Sequence, residues 1–208
     1  MSQATRASLV RRGVQVELLS LAWIVVETAV SLAAGIAAGS LLLIAFGMDS
    51  LIELASGALL LWRLLVETRG EALEQVQKAE QRASRGVAIA LALLCAYLLI
   101  SAAYGLLVRT ESESSRLGIG IAAAAVVIMP CLAAAKRRIS SQIPSEALAG
   151  DAVSSITCAF LAGTVLLGLV LHALLGWWWV ENAAALAFLI WLIPETLEAF
   201  ENSQSARA

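Results

Sequence analysis

Six apolar runs, at about 17–38, 41–63, 86–108, 117–135, 147–172 and 176–196, constrain this chain more than any other feature. A hydrocarbon layer about 30 Å thick takes roughly 20 apolar residues per helix. No water is present at that depth to satisfy backbone N–H and C=O groups, so such runs cross as helices rather than strands. The composition agrees, since 60% hydrophobic and 14% charged residues are more apolar surface than a soluble domain of 208 residues can enclose. Breaks separate the runs. Gly35, Gly39 and Ser40 divide the first from the second, and Arg109 with the polar tract Thr110 to Arg116 follows the third. Lys136, Arg137 and Arg138 stop the fourth, Pro144 precedes the fifth, and Gly176 with Trp177, Trp178 and Trp179 separates the last two. The expectation is an all-α polytopic membrane protein with six transmembrane helices.

Lysine and arginine set the expected orientation. One side collects Arg6, Arg11 and Arg12, then Arg63, Arg69, Lys78, Arg82 and Arg85, then Lys136 to Arg138, whereas the other has Arg109 and Arg116. Both termini are therefore expected in the cytoplasm, and Trp177, Trp178 and Trp179 at the outer interface. The organisation is a cytoplasmic segment 1–16, a six-helix domain 17–196 and a short polar tail 197–208 that leaves no room for a soluble domain. Within the domain, 67–85 reads as a helical cytoplasmic loop, because Leu73, Val76 and Ala79 recur at helical spacing. No basic patch of the kind nucleic acid requires is present. Cys95, Cys131 and Cys158 lie in apolar runs without C-x-x-C spacing, which argues against a disulfide framework or a zinc knuckle.

Chemistry concentrates in the acids. Between Leu18 and Trp62 the charged residues are Glu27, Asp49 and Glu53, with no base among them. A charge at mid-bilayer costs about 2.5–3.5 kcal/mol on insertion scales, so an acid pair there calls for a cation. Asp49 and Glu53, four apart, share a helix face and can reach one ion. Oxygen donors alone do not separate zinc from manganese or magnesium. A pair of protonated acids bonded to neighbouring hydroxyls is the structural alternative. On the fifth run Asp151, Ser154, Ser155 and Cys158 follow an i, i+3, i+4, i+7 pattern with Thr157 beside it. A cation-bound thiolate at Cys158 would favour zinc or cadmium, while the serines serve equally as interhelical hydrogen-bonding groups. Glu27 either lines an ion path, carries protons or bonds a neighbouring helix. His172 reads as an interfacial residue, and Glu195 and Glu198 as facing the cytoplasm.

The segment Phe46-Gly47-Met48-Asp49-Ser50-Leu51-Ile52-Glu53 resembles the second-span signature of the cation diffusion facilitator (cation efflux) family, where two metal ligands stand four apart. Ala147 to Cys158 resembles that family's fifth span, which carries a second pair with the same spacing. Position by position, the resemblance implies Asp49, Glu53, Ser154 and Cys158 as the metal site; Asp151, one turn from Ser154, is expected to supply a missing oxygen, which the family pattern does not imply. Glu53 stands where Asp is usual, Ser154 and Cys158 stand where His and Asp are usual, and the family's cytoplasmic metal-binding domain has no counterpart after the sixth span. The resemblance also implies a homodimer. It places the chain among transporters rather than enzymes, with no resident cofactor.

The expected function is export of a divalent metal, with zinc first, from the cytoplasm in exchange for protons. The expected location is the cell membrane of a bacterium. Two other readings remain. One is a membrane protein that binds metal without transporting it, and the other is an intramembrane aspartyl protease that pairs Asp49 with Asp151.

Overall fold

A computed structural model describes residues 3–69, 73–109, 113, 115–142 and 146–205. Pro144 therefore lies outside the described residues. Six helices follow in order: α1 (Gln3–Ala38), α2 (Leu41–Arg69), α3 (Leu73–Val108), α4 (Arg116–Ser140), α5 (Glu146–Leu175) and α6 (Val180–Ser205). Each contains a stretch long and apolar enough to cross a membrane, the six being Arg11–Ala38, Leu41–Leu59, Ala88–Val108, Arg116–Ser140, Asp151–Leu175 and Val180–Glu198. Large apolar side chains such as Leu107, Leu174 and Ile190 cover the outside, as a lipid solvent requires. Of the expected polar loop, 73–85 is the first part of α3, and of the expected N-terminal segment, 3–16 already belongs to α1. The helices outrun their apolar windows because hydropathy sets where a helix meets lipid, not where its hydrogen bonds stop.

The turns form where the sequence breaks. Gly39 adopts a left-handed φ of 61°, Ser40 N–H donates to the Gly35 carbonyl at 2.9 Å, and Gly39 N–H to Ile36 at 3.4 Å. This is a Schellman closure, in which a left-handed glycine satisfies the last free carbonyls of a helix. The Ser40 hydroxyl then accepts from Leu43 N–H at 3.3 Å and caps α2. Ser115 caps α4 in the same way, accepting from Gly118 N–H at 3.0 Å. Gly176, also left-handed at 64°, ends α5. Beside it, Trp177 and Trp179 stack with ring centroids 5.5 Å apart, and the Arg109 guanidinium lies 5.5 Å from the Trp178 ring centre. An exposed aromatic and cationic cluster at a helix end fits a membrane interface.

Helices α1, α2, α5 and α4 pack in a closed ring, each against the next, and α3 pairs with α6 beside it. The pair meets the ring through α2 and α5. Close approach inside the ring relies on small residues. A Cβ on Gly47 would lie 2.8 Å from Leu32 Cγ, so glycine just before Asp49 is what allows α2 to seat against α1. The core centres on Leu42, Phe46, Met129, Leu161 and Phe188, all buried. It holds the start of α2 rigidly beneath the acids.

Candidate metal site

Asp49 and Glu53 open onto one small cavity of about 30 Å³ at the junction of ring and pair. Ser154 and Cys158 of α5 line the same cavity, with Ser56 of α2, Leu91 of α3 and Glu195 of α6. That volume exceeds the 10–15 Å³ or so that one water requires, so it can admit a single ion. Asp49 is 6% exposed and Glu53 8%, and among the described residues neither oxygen of Glu53 has a hydrogen-bond partner. A buried carboxylate without a donor is costly, and inside a membrane more so. The four positions implied by the family resemblance are thus brought together from two helices. Among the described residues no three Asp, Glu, His or Cys side chains converge closely enough to grip an ion jointly, so the donors line a space rather than close a cage.

Asp151 is directed elsewhere. It forms an ion pair with Lys136 of α4, whose Nζ also lies 3.3 Å from Glu17 of α1 and donates to Ser155 at 3.3 Å. Lys136 and Glu17 are both fully buried. The polar pattern on α5 therefore splits: Ser154 and Cys158 face the cavity, Asp151 and Ser155 face the lysine. Asp151, expected to add an oxygen to the metal site, does not line the cavity and is paired with a full positive charge instead. Asp49 and Asp151, the pair that a protease would need, do not share the cavity. In the sequence Lys136 stands with Arg137 and Arg138 at the stop of the fourth run. Its spacing from Met129, Leu132 and Ala133 already placed it on the buried face of α4.

Glu27 is fully buried and fully engaged. It accepts from Ser50 Oγ at 2.7 Å and from Trp23 Nε1 at 2.8 Å, and the Cys158 thiol donates to it at 3.6 Å. Of the three roles open to it, bonding to neighbouring helices is the one these contacts describe. It ties α1 to α2 and α5 and turns the Cys158 sulfur. The signal for this seam is the heptad-like spacing of Glu17, Ser20, Ile24, Glu27 and Ser31, all buried on one face of α1.

Glu195, expected to face the cytoplasm, lines the cavity, with Oε2 buried and without a hydrogen-bond partner among the described residues. Pro194 before it cannot donate a backbone hydrogen bond, and Thr196 after it donates back to the Leu192 carbonyl at 2.7 Å and contacts Cys95 of α3 at 3.4 Å. These neighbours set the register of α6 against α3 and leave Glu195 facing α2. A larger space of about 740 Å³ lies between α2 and α3, lined by Ile44, Met48, Leu51, Leu93 and Tyr97. It is apolar and carries none of the acids.

A search of curated proteins returns no match. A scan of protein families matches the cation efflux transmembrane domain over residues 18–206 of 208, nearly the whole chain. Transporters of this family move cations and are not enzymes. This chain belongs to the cation efflux family through its transmembrane domain.

Proposed function

We propose that this protein exports a divalent metal ion from the cytoplasm, with zinc the first ion to test, in exchange for protons. Cation export follows from the family. The observation that supports the ion's valence and its path is the convergence of Asp49 and Glu53 with Ser154 and Cys158 on one cavity that has no base of its own. Two buried carboxylates match a doubly charged ion, and loading the site releases whatever protons they hold. Protons entering from the far side then compete for the same oxygens and expel the metal. Access alternates as the α3–α6 pair rocks against the four-helix ring around the cavity. The termini lie in the cytoplasm, the cell membrane is that of a bacterium, and two copies form the working unit. The placement of the termini rests on the lysine and arginine distribution, and the pairing of two copies on the family.

Zinc uptake into proteoliposomes under an imposed pH gradient tests the reading. Asp49→Ala and Glu53→Ala are each expected to abolish flux, and flux that survives both changes would remove this cavity from the pathway. Flux that ignores the pH gradient would remove the protons. Stoichiometric zinc binding with no flux would instead favour the reading of a membrane protein that binds metal without transporting it.

A further inference from the structure

The metal site implied by the fifth-span resemblance is short of donors, since a serine and a cysteine occupy positions that usually carry His and Asp. We propose that Glu195 of α6 makes up the deficit as a direct ligand of the transported divalent cation, so that the ion is held from α2, α5 and α6 together. This rests on the proposed transport function and adds a residue and a helix to it.

Three observations carry it. Glu195 lines the same cavity as Asp49 and Glu53, with Oε2 buried and without a hydrogen-bond partner among the described residues. Glu53, more than nine-tenths buried, also presents both carboxylate oxygens to that cavity without a donor. Lys136, the one buried base among the described residues, is engaged by Glu17 and Asp151 and does not line the cavity. The cavity's polar atoms are therefore three carboxylates and two hydroxyls, with a thiol whose proton is directed to Glu27. An oxygen-dominated set suits harder divalent ions and admits manganese beside zinc. The placement also has a mechanical consequence. Asp49, Glu53 and Ser154 belong to the ring, whereas Glu195 belongs to the α3–α6 pair. As the donors do not yet converge, an ion that recruits Glu195 draws the pair toward the ring, and the ion's departure releases it.

The test uses the full-length chain, purified for isothermal titration with Zn2+ and with Mn2+, and reconstituted for flux. Glu195→Gln keeps the shape and removes the charge. It is expected to weaken binding of both ions by about 10-fold or more, at or above the effect of losing a ligand-supporting group, and to reduce flux in step. Thermal stability of the metal-free protein is expected to be unchanged or raised. Glu198→Gln, an exposed acid one turn further, controls for diffuse charge and is expected to stay within about two-fold because solvent and salt screen it. Should Glu195→Gln fail to fold, Glu195→Asp retains the charge while withdrawing it by one methylene, and reduced affinity is again expected. Wild-type affinity in Glu195→Gln or Glu195→Asp, with binding lost in Asp49→Ala, overturns the role of Glu195 and leaves the transport reading standing. Equal losses in Glu195→Gln and Glu198→Gln also overturn it, in favour of long-range charge. A wild-type protein that neither binds nor moves either ion overturns both.

Discussion

Two acid clusters lie buried in this protein within a few turns of each other, and they differ in one respect. Glu17 and Asp151 close around Lys136, with Ser155 completing the lysine's contacts, so that cluster carries its own counter-charge. Asp49, Glu53 and Glu195 surround a small space that contains no base. Three ionised carboxylates there would cost about 8–10 kcal/mol on the insertion scale used above. Burial and acidity are common to both clusters, so neither property marks the site. The lesson is that charge balance separates them: the neutralised cluster joins helices, and the unbalanced one is where an ion is proposed to bind.

Removing the lysine should be the most damaging change in either region. Lys136→Met strands the buried Glu17 and the half-buried Asp151 and is expected to destabilise the protein by about 3–5 kcal/mol, read as a fall in melting temperature in detergent. If stability holds, the cluster is not the joint between α1, α4 and α5 described here. The opposite signature is expected at the cavity, where Glu53→Gln should leave the metal-free melting temperature level or higher while zinc flux falls by about 10–100-fold. A large loss of stability would erase the distinction between the two clusters. Helix approach comes next. Gly47→Ala drives a methyl group into Leu32 and is expected to cost about 1–3 kcal/mol, with flux falling as α2 shifts; thermal unfolding with parallel flux measurement checks it. The smallest effect should come from Cys158→Ser, which leaves the carboxylates intact. A modest drop in zinc preference over manganese, measured by competition, is expected, and preservation of that preference would show that sulfur does not set selectivity.

Much of the architecture is legible in the sequence. A bilayer leaves few solutions for an apolar run of 20 residues, and the breaks at Gly39, Arg109 and Gly176 stand where the backbone turns left-handed. Asp49 and Glu53 were legible as a pair because i and i+4 share a face in any α-helix. The helix ends were less so, since α2 and α3 continue through polar sequence where hydropathy is silent. On α5 the single polar face expected from periodicity proved to be two. Asp151 and Ser154 differ by about 60° around the helix axis at roughly 100° per residue, and that is enough for each to meet a different neighbour.

The sequence by itself determined that this chain crosses a membrane with helices and that one of them carries an unneutralised pair of acids. Both conclusions follow from local spacing and from the solvent, which act on each segment alone. Only the tertiary structure decided which acids share a space. How each helix is rotated against its neighbours gave Asp151 to Lys136 and brought Glu195, 142 residues beyond Glu53, to the cavity's edge. No period within a single helix encodes that choice, because it depends on how six of them pack.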